Sequence, residues 1–259
     1  MSDPGRNAHR LGLSDHPLEL FREHSRNETP VSVSRSTNGD RTAPPCSGDN
    51  PWEEAYLQFQ TPEQEIRKFV KRLRKLGVDE WSKTAEVVEL FCGRGNGLHA
   101  LHRLGFSRVE GVDLSAALLA KYLGPAACHV GDCRNLSFPD ASKDIAIVQG
   151  GLHHLPSSED LDRTLQEVRR VLRKDGRFVA VEPWLTPFLS FVHRVSENTM
   201  ARRLSRKIDA FARMAIHEHD TYVRWLGAPD EILAILDRHF VAERRLLGWG
   251  KLMFVGRRR

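Results

Sequence analysis

The chain has 259 residues, 40% of them hydrophobic, and a formal net charge of +5 at pH 7. That size and apolar content suit one α/β domain with a real core plus an appendage. Four cysteines without a C-x-x-C pair exclude a disulfide framework and give Cys128 and Cys133 no second ligand pair for a metal.

In chain order, residues 1–50 are rich in Ser, Asn, Asp, Arg, Pro and Gly and read as a flexible arm. No segment reaches the roughly 18 apolar residues of a membrane span. Residues 1–30 lack the apolar centre of a signal peptide, so a cytoplasmic location is expected. Order is expected to begin near Trp52. Thr61-Pro62-Glu63-Gln64 reads as a capped helix start, followed by the apolar stripe Ile66, Phe69, Val70, Leu73 and Leu76, with Gly77 as its stop.

Strands and helices then alternate. Strands are predicted over about 86–91, 108–112, 127–130, 144–148 and 177–181. The helices between them run over about 97–104, from Ser115 to Gly124-Pro125, and over about 158–174. Residues 184–228 break the rhythm as a helical insertion. A helix over about 229–238 and a hairpin of strands over about 241–247 and 251–256 close the chain. The expected fold is α/β and doubly wound. It has a mostly parallel seven-stranded sheet with an antiparallel last strand and a helical insertion after the fifth strand. The domain is expected to cover 51–259, with 184–228 as a lid.

Ligands of open α/β sheets bind at the carboxyl ends of the strands. After the first strand stand Gly93, Gly95 and Gly97, where backbone can approach a ligand that a Cβ would block. After the second stands Asp113, about 20 positions beyond the glycines, where an acid can accept both hydroxyls of a ribose. After the third stands Asp132, which can accept from an adenine amino group while the amide of Cys133 meets a ring nitrogen. The alternatives are a helix cap for Asp113 and an ordinary turn role for Asp132. Glu89, half-way along a buried strand, is too costly there for a merely structural carboxylate.

These segments resemble the class I S-adenosylmethionine-dependent methyltransferases of small-molecule type, in the methyltransferase-11-like branch. Glu89-Leu90-Phe91-Cys92-Gly93-Arg94-Gly95 looks like the family's first motif. Asp113, Asp132, Asp144-Ile145-Ala146-Ile147-Val148 and Gln166 through Phe178 match the elements that follow. The resemblance implies S-adenosyl-L-methionine as cofactor, with Glu89, Gly93, Gly95, Gly97, Asp113, Leu114, Asp132, Cys133, Gln149 and Tyr56 around it. One departure stands out: Phe91 occupies a position where the family has glycine. NAD is the competing cofactor, but Leu98 stands where its third glycine belongs.

Methyl transfer to a hydroxyl or amine needs acceptor positioning and a base. His153, His154 and Glu182 lie at the ends of the fourth and fifth strands and are candidates, as is His219 on the insertion. Each can equally be a packed or hydrogen-bonded core group. Trp184, Phe188, Phe191 and Trp225 can line an acceptor cavity or simply pack. Trp52 and Tyr56 can shield a sulfonium. The expected reaction is transfer to an oxygen or nitrogen of a small molecule or glycan. An anionic acceptor suits the late arginines Arg202, Arg203, Arg206 and Arg213. A tRNA or rRNA methyltransferase and a catalytically degenerate binding subunit are the alternatives. Gln149-Gly150-Gly151-Leu152 argues against amino methylation of a nucleobase, so a nucleic-acid partner is not expected.

Overall fold

The computed structural model describes residues 58–217 and 219–259. The arm over 1–50, Cys46, Trp52 and the proposed cofactor contact Tyr56 lie outside the described residues.

Helix α1 (Pro62–Lys75) starts at the predicted capping box. The Thr61 hydroxyl accepts from the Gln64 amide at 3.3 Å, and the Gln64 side chain accepts from the Thr61 amide at 3.2 Å. Its apolar stripe buries Ile66, Phe69 and Leu73, and Ile66 and Phe69 pack against Ala100. Strand β1 (Glu86–Leu90) leads into α2 (Asn96–Arg103), β2 (Arg108–Asp113), α3 (Ala116–Leu119), β3 (Ala127–Val130) and β4 (Lys143–Gln149). Helix α4 (Ser158–Val171), β5 (Leu172–Pro183), the insertion, α9 (Pro229–His239), β6 (Phe240–Gly248) and β7 (Lys251–Arg258) complete the chain. The insertion comprises α5 (Pro187–Glu197), α6 (Thr199–Leu204), α7 (Arg206–His217) and α8 (His219–Gly227).

The sheet has seven strands in the order β3-β2-β1-β4-β5-β7-β6. All lie parallel except β7, which runs antiparallel to both neighbours. Val87, Val88 and Leu90 of β1 and Ile145 through Val148 of β4 are buried, as strands covered on both faces require. Strand order reverses at β1, between β2 and β4, and this crevice receives the glycine loop. The β6–β7 hairpin closes on Trp249 (φ 52°) and Gly250 (φ 72°), a two-residue turn with positive φ at both positions.

Three element boundaries differ from expectation. Helix α4 stops at Val171, because fully buried Leu172 already pairs with Lys143 of β4. Helix α3 ends at Leu119, short of Gly124-Pro125. Tyr122 turns back there, its hydroxyl accepting from the Ala126 amide at 3.2 Å and its ring filling the bare face of Gly95. The third is the start of β5, at Leu172 rather than near 177.

Candidate active site

The three glycines do different jobs. Gly93 (φ 52°) has an open face, with no atom nearer than 3.9 Å to where a Cβ would sit, and it lines the cavity. Gly95 (φ 81°) would put a Cβ 2.1 Å from the Tyr122 ring. It caps α2 and is absent from the cavity wall, so its expected ligand contact is replaced by a packing role. At Gly97 a Cβ would fall 1.7 Å from Glu89 Oε1, so this glycine makes room for the buried carboxylate.

Glu89 is 3% exposed. Its Oε1 accepts from Gln149 Nε2 at 3.2 Å, while Glu89 Oε2 and Gln149 Oε1 have no partner among the described residues. Burial pushes the Glu89 carboxyl up to about 8, against the pull of the Gln149 hydrogen bond, and the nearby Glu65 charge adds to the rise. Two buried acceptors at one wall of the cavity fit a cationic group that carries N–H donors, such as the ammonium of S-adenosylmethionine. Sequence reading missed Glu65 and Asn96, which meet at 2.5 Å beside this wall (Asn96 Nδ2 to Glu65 Oε2). The one signal for them was a glutamate on the predicted buried stripe of α1.

Asp113 does local work as well. Its Oδ2 accepts from the Gly93 amide and its Oδ1 from the Ser115 amide, both at 2.8 Å. The helix cap is Ser115, whose hydroxyl accepts from the Leu118 amide. A carboxylate oxygen has a second lone pair, so the carboxylate that fixes the loop can also accept from ribose hydroxyls. Asp132 is held by Arg134, which donates to both of its oxygens and reaches Asp160 with Nη1 at 2.8 Å. This ion pair, foremost, holds the Asp132 carboxyl below its usual range. Exposed Leu114 and half-buried Leu118 give the same cavity an apolar shelf, and buried Cys133 lies next to Asp132 with its Sγ 3.5 Å from Thr164 Oγ1.

On the other side of the cavity, fully buried Glu182 braces the turn after β4. Its Oε1 accepts from the Gly151 amide at 2.9 Å and the Leu152 amide at 3.0 Å, and its Oε2 lies 2.8 Å from His153 Nδ1. Burial pulls this carboxyl up. The His153 hydrogen bond and charge, with the two amides, outweigh it and leave it below its usual range. An ionised carboxylate on Nδ1 makes Nδ1 the donor, so that in the neutral form of the ring Nε2 is the basic nitrogen. His153 and His154 both line the cavity, with ring centroids 4.1 Å apart. His219 does not. It opens α8 with Nδ1 on Asp220 at 3.1 Å, outside the cavity wall, so the expectation that it reaches the pocket is corrected. Its place is taken by Tyr222, which lines the cavity and bonds the buried His193 at 3.2 Å. Phe188 and Phe191 line the cavity as expected, whereas Trp184 and Trp225 are core residues, Trp225 donating to the Pro183 carbonyl at 2.8 Å.

Phe91 keeps the backbone of a glycine, with φ 56°, a strained setting for a bulky side chain. Its ring lies over Gly151, where a Cβ would come within 2.4 Å of it, and it faces the cavity. The cavity as a whole measures about 1150 Å³. A single drug-sized ligand occupies a pocket of roughly 300–1,000 Å³, so this one has room for a cofactor and an acceptor.

The strand order, the glycine loop at the reversal point and the acids within β1, at the end of β2 and after β3 define the class I S-adenosylmethionine-dependent methyltransferase fold. Residues 88–180 match the family described as methyltransferase domain. The chain is 34% identical over 113 residues to the ubiquinone/menaquinone biosynthesis C-methyltransferase UbiE of Rubrivivax gelatinosus, covering 39% of this chain and 43% of that protein. It is 31% identical over 128 residues to the demethylmenaquinone methyltransferase of Thermotoga maritima, covering 44% and 55%. The chain thus spans about half the length of these curated relatives, or less. The PH0226 protein of Pyrococcus horikoshii shares the fold at a TM-score of 0.62 and 21% identity, covering 82% of this chain and 100% of that one. Among the described residues no group of three or more His, Cys, Asp or Glu side chains is placed to hold a metal, and no helix is long and apolar enough to cross a membrane.

Proposed function

We propose that the chain transfers the methyl group of S-adenosylmethionine to an oxygen or nitrogen of a small-molecule acceptor, with His153 as general base. When bound, the cofactor supplies an electrophilic methyl on a sulfonium with a neutral leaving group. Glu89 and Gln149 bind its ammonium, Asp113 its ribose, and Asp132 with the Cys133 amide its adenine. His153 Nε2 takes the acceptor's proton as the new bond forms, and Glu182 is the positioning residue that holds the ring. The observation that carries the assignment is the Glu182–His153 pair, 2.8 Å apart at the wall of the cavity. Of the two histidines that the sequence offers together, the hydrogen bond to Glu182 favours His153.

A second acceptor atom has specific support. Two relatives are named for quinone biosynthesis, one as a C-methyltransferase. The same pair can deprotonate a ring hydroxyl and so raise the nucleophilicity of the neighbouring carbon.

The test is transfer of labelled methyl from the cofactor into a metabolite pool, followed by location of the label in the product. Once an acceptor is in hand, His153→Ala is expected to lower kcat by about 10²–10⁴-fold, with cofactor Kd within about twofold. Turnover equal to the parent in His153→Ala would remove the base from the proposal.

A further inference from the structure

Cations gather on one side of the cavity. On the other, from β1, β2 and the loops after β1 and β3, Glu89, Asp113 and Asp132 line it together with Arg94 and with Arg134, which pairs with Asp132. The walls contributed by α1, α7 and the β6–β7 hairpin carry Lys68, Arg72, Lys207 and Lys251, and their one acid, Glu65, accepts from Asn96. Lys68 and Arg72 stand one turn apart on α1. Lys68 Nζ lies 5.5 Å from the Phe59 ring centroid and Arg72 Cζ lies 5.7 Å from that of Phe69. Phe59 in turn meets Phe211 of α7 at 6.3 Å, which brings the α1 cations beside Lys207, near the start of the same helix. Burial, foremost, and then the positive charges of Arg72 and Lys207 hold the Lys68 ammonium below its ordinary range against the opposing charge of Glu65, and Lys68 Nζ donates to Gln60 Oε1 at 2.6 Å. Between them and the exposed Phe188, Phe191 and Trp249 the wall is apolar: Val192, Val195, Ile208 and Met214.

Resting on the methyl-transfer reading, we propose that the acceptor is an anionic amphiphile: a phosphate or carboxylate held by Lys68, Arg72 and Lys207, with an apolar body along α5 and α7. Cations outnumber the one acid, Glu65, on this side of the cavity, and a charge-assisted hydrogen bond is among the strongest single contacts available to a ligand. Exposed aromatic side chains over an apolar wall provide the complementary surface for the body of the ligand.

The test uses the full chain saturated with S-adenosylhomocysteine, titrated by calorimetry with decyl phosphate and with decanol below their aggregation limits. Decyl phosphate is expected to bind at least about tenfold more tightly. In the Lys68→Gln/Arg72→Gln double variant that preference is expected to fall to about threefold or less, with the affinity for S-adenosylhomocysteine within about twofold of the parent. Lys207→Gln, which changes an exposed residue, is the second variant and is expected to move the preference in the same direction. Equal binding of the two probes overturns the proposal, as does a phosphate preference that survives all three substitutions. A variant that loses cofactor affinity and keeps the probe preference also overturns it, because the cations would then serve the cofactor's carboxylate. Failure of the parent protein to bind S-adenosylhomocysteine, seen before any probe is added, would instead sink the methyl-transfer reading itself.

Discussion

Phe91 holds a left-handed backbone that glycine adopts without strain, at a cost of about 1–2 kcal/mol for an L-residue. Replacement by alanine keeps that strain and removes the ring. Replacement by glycine removes both, at an entropic cost of about 0.5–1 kcal/mol. Phe91→Gly is therefore expected to be more stable than Phe91→Ala by about 1 kcal/mol in urea denaturation, and the opposite order would contradict the assigned φ. Glu89 makes a second prediction. Its carboxyl, raised to about 8, keeps its proton in the folded chain at pH values where the unfolded chain has lost it. Its contribution to stability is present below the unfolded carboxylate range and is lost as pH rises toward about 8. Melting temperature is expected to fall over that window in the ligand-free protein and to fall less in Glu89→Gln. Equal slopes for the two proteins would place the carboxylate elsewhere. Asp113 and Asp132 were legible in the sequence from their places at strand ends, and Glu89 as a carboxylate inside a buried strand, whereas Glu65 on α1 was not. What each glycine faces was not, because Tyr122 and Glu89 reach Gly95 and Gly97 through the folded chain.

At the scale of elements, alternation, caps and stops located every strand and most helices. The box at Thr61–Gln64 and the turn at Trp249–Gly250 are local signals and needed no tertiary context. Errors fell where a tertiary contact overrides local pattern: Leu172 leaves a helical pattern to join the sheet, and Tyr122 shortens α3 by folding back. The insertion was legible as helical. The path of its helices was not, so His219 stood as a candidate for a cavity wall that Tyr222 in fact supplies. One bond set joins β5 to the turn after β4. Glu182 satisfies two amides and an imidazole there, and removing one partner of a buried charged pair typically costs about 3–5 kcal/mol. Glu182→Ala is expected to lose about 3 kcal/mol of unfolding free energy, and a loss under about 1 kcal/mol would show that the turn stands without it.

For the molecule as a whole, the strand order places the reversal point, and with it the glycine loop, beside the strand that carries Glu89. On the proposed reading, the sheet's wall of the cavity, with its acidic side chains, serves the cofactor, and the wall from α1, α7 and the hairpin takes the acceptor. The central claim is that the first wall is a working S-adenosylmethionine site. Calorimetric titration of the full chain with S-adenosylmethionine tests it most directly. One-to-one binding that tightens as pH approaches about 8, where the Glu89 carboxyl loses its proton, is the predicted result. Absence of binding across that range would contradict it.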